Sequence, residues 1–278
     1  MGVKVIPFLL RVIFLVAPAP CLCLNLPMTQ IIYGRHPVMA ALRHPDNPLE
    51  EVIVAQGAGG KWLHEVKRLA QAAGVRLRRQ ERAVLDRVCG TPNHQGILAR
   101  RGSYTYRSEA ELLDDVARLT EPALLVAADS LTDPMNLGNL CRSAFAAGAH
   151  GLIIPKDRAA GVTPTVAKAA AGALEYLAVY RVTNLADCLA RLKDAGLAMV
   201  GADADSPQTI YDTDLTQPLV LVIGSEDKGL RPRVRQQCDL VVSIPMAAAE
   251  IGSLNAATSG AVVLFEARRQ RLMGIKKF

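Results

Sequence analysis

From Ala123 onward the chain alternates short, continuously apolar runs with stretches of helical period. The runs at 123–128, 151–155, 177–182, 198–201, 219–223 and 240–244 lack the polar alternation of a half-exposed strand, as strands covered on both faces do. Helical periodicity fills the intervals at 140–147, 164–174 and 185–195 and returns at 255–271. Strands alternating with helices predict a parallel, helix-covered sheet, an α/β fold. Upstream the units are smaller, with helices at 37–43, 61–73 and 81–88 and strands at 51–55, 75–78 and 96–99. This is the pattern of a compact α/β module. A polar linker at 104–122 carries one short helix, 109–119, so the pattern divides the chain into a module at 28–103 and a larger domain at 123–278.

In open parallel sheets, ligands sit beyond the carboxyl ends of the strands. Two runs end there in small-residue loops: Gly224-Ser225-Glu226 with Gly229 after 219–223, and Pro245-Met246 leading to Ser253 and Asn255 after 240–244. A third loop, Asp133-Pro134-Met135-Asn136-Leu137-Gly138, follows the first strand of the domain and leads into a helix with Arg142 near its start. An Arg there would aim its fork, with the helix amino terminus, at whatever fills the loop. Each loop alone is equally compatible with an ordinary turn, and only their convergence argues for a site. No GxGxxG follows the first strand and no GxxxxGK[ST] occurs, so neither a Rossmann dinucleotide site nor a P-loop is supported.

The 278 residues carry a formal charge of +6, and its distribution matters more than its size. Between Lys61 and Arg107 stand eleven Lys or Arg against Glu65, Glu81 and Asp86, a local +8 that leaves the rest of the chain at −2. Such a segment suits a polyanion, with Tyr104 and Tyr106 beside Arg100 and Arg101 as candidate base-stacking groups; the other reading is a solvated helix face. The six cysteines show no zinc spacing and the five histidines no catalytic arrangement, so no metal and no disulfide is expected. The polar turns Gly34-Arg35-His36-Pro37 and His94-Gln95-Gly96-Ile97 have no chemistry derivable from sequence. Residues 1–27 imitate a secretory signal, but Arg11 interrupts the apolar run and prolines crowd the cleavage point. We expect a non-native extension with translation starting at Met28; export is the competing reading.

Taken in order, DPMNLGNLCRSA, VIGSEDKGL and IPMAAAEIGSLNAATSG resemble the three motifs of the SpoU (TrmH-like) RNA ribose 2′-O-methyltransferases. YGRHPV, HQGI, IIPKDRAA and FEARRQR look like its ribosomal-RNA guanosine branch. The resemblance implies a carboxyl-terminal trefoil-knotted domain binding S-adenosylmethionine, an amino-terminal ribosomal-protein-like RNA-binding domain, a homodimer, and a cytoplasmic protein with no membrane partner. Its implied reaction is methylation of a guanosine ribose 2′-hydroxyl in 23S ribosomal RNA; a transfer-RNA guanosine, or an idle RNA-binding or ribosome-assembly protein, are the alternatives. Carried over by motif, the functional positions are Asn136, Arg142, Glu226, Ser253 and Asn255, with cofactor contacts at Gly224, Ile244 and Leu254. The chain departs from the pattern at Ala247-Ala248-Ala249, where relatives have an early Gly and a loop one residue shorter. The family's proposed base is Arg142, but a guanidinium stays protonated in proteins. We therefore expect Arg142 to act as a cation on the nascent alkoxide or a phosphate, with Asn136 orienting Arg142 or the ribose, Glu226 a neighbouring backbone or Arg142, and Ser253 and Asn255 the substrate and cofactor loop.

Overall fold

The structure is a computed structural model that describes residues 30–44, 48–225, 228–247 and 252–275. The expectations for residues 1–27 and the role given to Glu226 lie outside these residues. Two sheets form. The first is four-stranded in the order β1 (Gln30–Tyr33), β4 (Ile97–Arg101), β2 (Leu49–Ala55), β3 (Arg76–Gln80), with β4 antiparallel to β1 and β2, and β3 parallel to β2. Helices α1 (Arg35–Arg43), α2 (Lys61–Ala72) and α3 (Arg82–Cys89) cover it. Sequence reasoning missed β1, a four-residue strand too short to show a period.

After α4 (Glu109–Ala117), which a Ser108–Glu111 capping box starts, the second sheet runs β10-β8-β9-β5-β6-β7 with every pairing parallel. Its strands are β5 (Leu124–Ala128), β6 (Gly151–Pro155), β7 (Ala178–Val182), β8 (Ala198–Ala202), β9 (Leu219–Ile223) and β10 (Leu240–Val242). Every side chain of β5, β6 and β9 is buried, which explains their unbroken apolar runs. On one face lie α4, α7 (Leu185–Asp194) and the short α8 (Pro232–Arg235), which the sequence did not reveal. The other face carries α5 (Pro134–Ala147), α6 (Pro164–Ala169) and α9 (Ala256–Ile275). Among the described residues no helix is long and apolar enough to cross a membrane.

Three expectations need correction. Helix α5 starts at Pro134 and not at residue 140: Asp133 caps it, accepting from Met135 N at 3.0 Å and Asn136 N at 3.3 Å, and Pro134 sits in the first turn where its missing N–H costs nothing. Gly138 looked like a loop residue but marks a close helix crossing, since a Cβ there would lie 2.5 Å from Ala169 Cβ and 2.7 Å from Val166 O. The helix expected to run to residue 174 ends at Ala169, because Ala171 and Gly172 take positive φ (52° and 100°) before a 3₁₀ turn, Ala173–Glu175. Gly172 is where the module docks: a Cβ would meet Ala40 Cβ at 2.7 Å.

The docking is tight. Arg101, 3 % exposed, donates Nη1 to both carboxylate oxygens of Glu175 at 2.7 and 3.0 Å, Gln30 Nε2 donates to Val162 O at 2.9 Å, and Tyr176 lies between His44 and Phe145. The apolar core of the module runs without a break into the face holding α5, α6 and α9. The stacking role expected of Tyr104 and Tyr106 is therefore not supported. Their rings meet edge to face at 5.1 Å, Tyr106 Oη accepts from Val162 N at 2.7 Å, and burial raises the Tyr104 phenol well above its usual range. Both are packing groups of the interdomain seam. The two polar turns are structural as well: Gln95 Oε1 accepts from Arg35 N at 3.0 Å, and His94, fully buried, reaches Asp86 at 2.7 Å.

Candidate functional site

The carboxyl ends of β8, β9 and β10 open into a cleft of about 380 Å³, within the range of small-molecule sites. Gly224, Ile244, Ser253 and Leu254 line it together with Ile223, Val242 and Met246. Its floor is shaped by backbone. Ser225 and Gly229 exchange hydrogen bonds at 3.1 and 2.9 Å, and Gly229 has φ 60°. A Cβ on Gly224 would stand 2.3 Å from Gly229 C, so only glycine lets the two stretches touch. Strand β10 stops at Val242, two residues earlier than the apolar run implied, which frees Ile244 to turn into the cleft.

Beside the cleft, Asn255 and Asn136 join the second and third loops. Asn255 Oδ1 accepts from Ala257 N at 3.0 Å and Thr258 N at 3.2 Å, capping α9, so its Nδ2 is left to donate, and it does so to Asn136 Oδ1 at 3.0 Å. Asn136 is 7 % exposed, in the first turn of α5. Arg142 lies six residues further along α5, about 9 Å up its axis, exposed to solvent and not among the cleft-lining residues. It is in the third turn of the helix, and not near its start as the sequence implied. The structure thus gathers Gly224, Ile244, Ser253 and Leu254, seats Asn136 and Asn255 at their side, and leaves Arg142 facing outward.

Sequence reasoning overlooked four groups. Asp129, fully buried at the end of β5, accepts from Arg231 N at 2.8 Å and Arg231 Nε at 2.5 Å, pinning the chain that follows Gly229. A lone carboxylate directly after a buried strand was the available signal. Asp203 and Asp205, after β8, line the cleft, and Asp203 is paired with Arg235. Burial pushes the thiols of Cys141 and Cys188 up to about 12, out of reach of nucleophilic chemistry near neutrality. Among the described residues no His, Cys, Asp and Glu group is arranged to hold a metal.

A cleft of mixed lining, with apolar side chains, glycine backbone and two carboxylates, has the size of a small-molecule site, and the fold defines a parallel α/β domain joined to a small accessory module. The chain belongs to the SpoU rRNA Methylase family, which matches residues 123–265, and the RNA 2′-O ribose methyltransferase substrate binding family matches residues 31–107. It is 42 % identical over 243 residues to a 23S rRNA (guanosine-2′-O-)-methyltransferase of Nitrosomonas europaea, covering 87 % of this chain and 92 % of that one. To the Escherichia coli K12 protein described in the same words it is 39 % identical over 244 residues, covering 88 % and 100 %. The solved SpoU methyltransferase AviRb from Streptomyces viridochromogenes, in complex with AdoMet, superposes with a TM-score of 0.73 at 30 % identity, covering 88 % and 92 %.

Proposed function

We propose that this chain transfers a methyl group from S-adenosylmethionine to the ribose 2′-hydroxyl of a guanosine in 23S ribosomal RNA. The observation that carries the reading is the 42 % identity to a relative so described, over both the module and the catalytic domain. The cofactor's sulfonium supplies an electrophilic methyl. The chain's own residues would hold it: Gly224, Ile244 and Leu254 would contact the cofactor, and the Asp205 carboxylate, which also lines the cleft, would face its positive charge. Asn136, fixed by Asn255, would orient the ribose, and Ser253 would close the loop over it. Arg142, always protonated, would stabilise the charge that grows on the 2′-oxygen while its proton passes to an adjacent RNA phosphate, and Glu226 would orient a neighbouring backbone or Arg142.

The module at 28–103 would hold the RNA by phosphate contacts, which position without choosing a base. The same proposal includes a homodimer in the cytoplasm, supported by exposed Met135 and Phe145 on α5 and Phe265 on the adjoining α9. It also includes the trefoil knot, supported by the return of α9 from the β10 edge across β9, where Gly260 meets Ile223, to pack on α5. The test is to incubate the protein and labelled S-adenosylmethionine with ribosomal or transfer RNA from a strain lacking it. Label in one large-subunit guanosine is expected; label in transfer RNA alone would change the substrate, and none, despite cofactor binding, would indicate an idle binder.

A further inference from the structure

A loop of the catalytic domain, residues 156–163, follows β6 and touches both the module and the loop that seats Asn136. On the cleft side, Ala160 N donates to Leu131 O at 2.8 Å, two residues before the Asp133 cap that seats Asn136. On the module side, Val162 N donates to Tyr106 Oη at 2.7 Å and Val162 O accepts from Gln30 Nε2 at 2.9 Å. Its base is held by Arg181, whose guanidinium lies over the Tyr106 ring and donates to Lys156 O at 3.1 Å. Lys156, Asp157 and Arg158 stand exposed in this loop, and neither cation forms an ion pair with a carboxylate among the described residues, the exposed Asp157 between them included. Arg158 has φ 61°, a conformation uncommon for a non-glycine residue. The charge excess of the chain lies in 61–107 while the remainder is −2, so two unpaired cations at this point are not part of a general basic surface.

We infer that Lys156 and Arg158 contact the phosphates of the RNA strand that runs from the module to the cleft. The inference rests on the RNA methyltransferase reading and extends it to residues that no cleft or module assignment covers. The buried Arg101–Glu175 pair holds the module against the turn that follows α6, so the loop that contacts both the module and the Asn136 loop is held in place. Two exposed cations on a pinned loop contact phosphate with little ordering cost, and such contacts set register without reading sequence.

The experiment measures binding of an unmodified 23S ribosomal RNA transcript between 50 and 200 mM salt by wild-type protein and by Lys156→Ala, Arg158→Ala and the double variant. The slope of log affinity against log salt is expected to fall by about 0.7–0.9 for each cation removed, with S-adenosylmethionine affinity unchanged. Lys156→Arg and Arg158→Lys should retain the wild-type slope. Arg233→Ala, an exposed cation on α8 across the sheet, should leave it unaltered and so separates a local contact from net charge. A double variant with the wild-type slope, while the wild type binds and methylates the transcript, overturns the inference alone. A wild type that neither binds nor methylates it overturns the functional reading beneath.

Discussion

Asn255 joins two loops by dividing its amide, with Oδ1 capping α9 and Nδ2 bonded to Asn136 Oδ1 at 3.0 Å. The two functions are separable by substitution. Asn255→Asp keeps a capping acceptor but places a carboxylate oxygen against the Asn136 carbonyl, so methyl transfer should fall about 100-fold with little change in melting temperature. Asn255→Ala should lose the cap as well, costing about 1 kcal/mol of stability. Thermal melts beside single-turnover rates distinguish the two; equal activity of Asn255→Asp and wild type would remove the positioning role.

Arg142 is exposed and outside the cleft lining, so its replacement should leave the fold intact. Arg142→Lys should lower the rate about 100- to 1,000-fold, and the loss should persist across pH 7–10, because what is missing is the geometry and spread charge of a guanidinium. Recovery of rate as pH rises would instead assign the residue a base role.

Gly138→Ala reverses the usual helix propensity. Alanine gains about 1 kcal/mol over glycine inside a helix, yet here its methyl would enter the α5–α6 crossing 2.7 Å from the Val166 carbonyl. Backbone must move, so denaturant unfolding should show a net loss of about 1–3 kcal/mol. A stabilised variant would mean the two helices are further apart than described.

The Arg101–Glu175 pair is 3 % exposed on both sides, and removing one partner strands a buried charge. Glu175→Ala should destabilise by about 3–5 kcal/mol, whereas replacing both by apolar groups of similar volume, Arg101→Met with Glu175→Leu, should restore most of that. Equilibrium unfolding of the three variants checks it.

Asp115 is pressed upward by burial, but hydrogen bonds from Tyr180 and Arg107 outweigh this and hold its pKa below 3.8. A depressed carboxyl pKa contributes stability that is complete above the unfolded value and lost as pH falls through the folded one. The melting temperature of Asp115→Asn should therefore lie below wild type at pH 6, with the gap closing under pH 3.8; a gap independent of pH would show that charge is not its source.

Elements whose burial is uniform were legible from the chain alone. The runs of β5, β6 and β9 are apolar at each position because both faces of the sheet are covered, and that demand writes itself directly into sequence. Gly138 misled for the opposite reason. It serves a contact with Ala169, and nothing local distinguishes a glycine needed for close approach from one needed for a turn.

The candidate site divides in the same way. Residue types, their order along three loops and their place after apolar strands were determined by the sequence, since a short loop at a strand's end can hold few groups. Tertiary structure decided which of them meet: Asn136 with Asn255 across 119 residues, Arg231 with Asp129 across 102, and Arg142 turned outward on the same helix as Asn136. Which loops meet depends on strand order, set by packing between segments distant in sequence where no local pattern carries the information, whereas the start of α5 was written locally in Asp133 and Pro134.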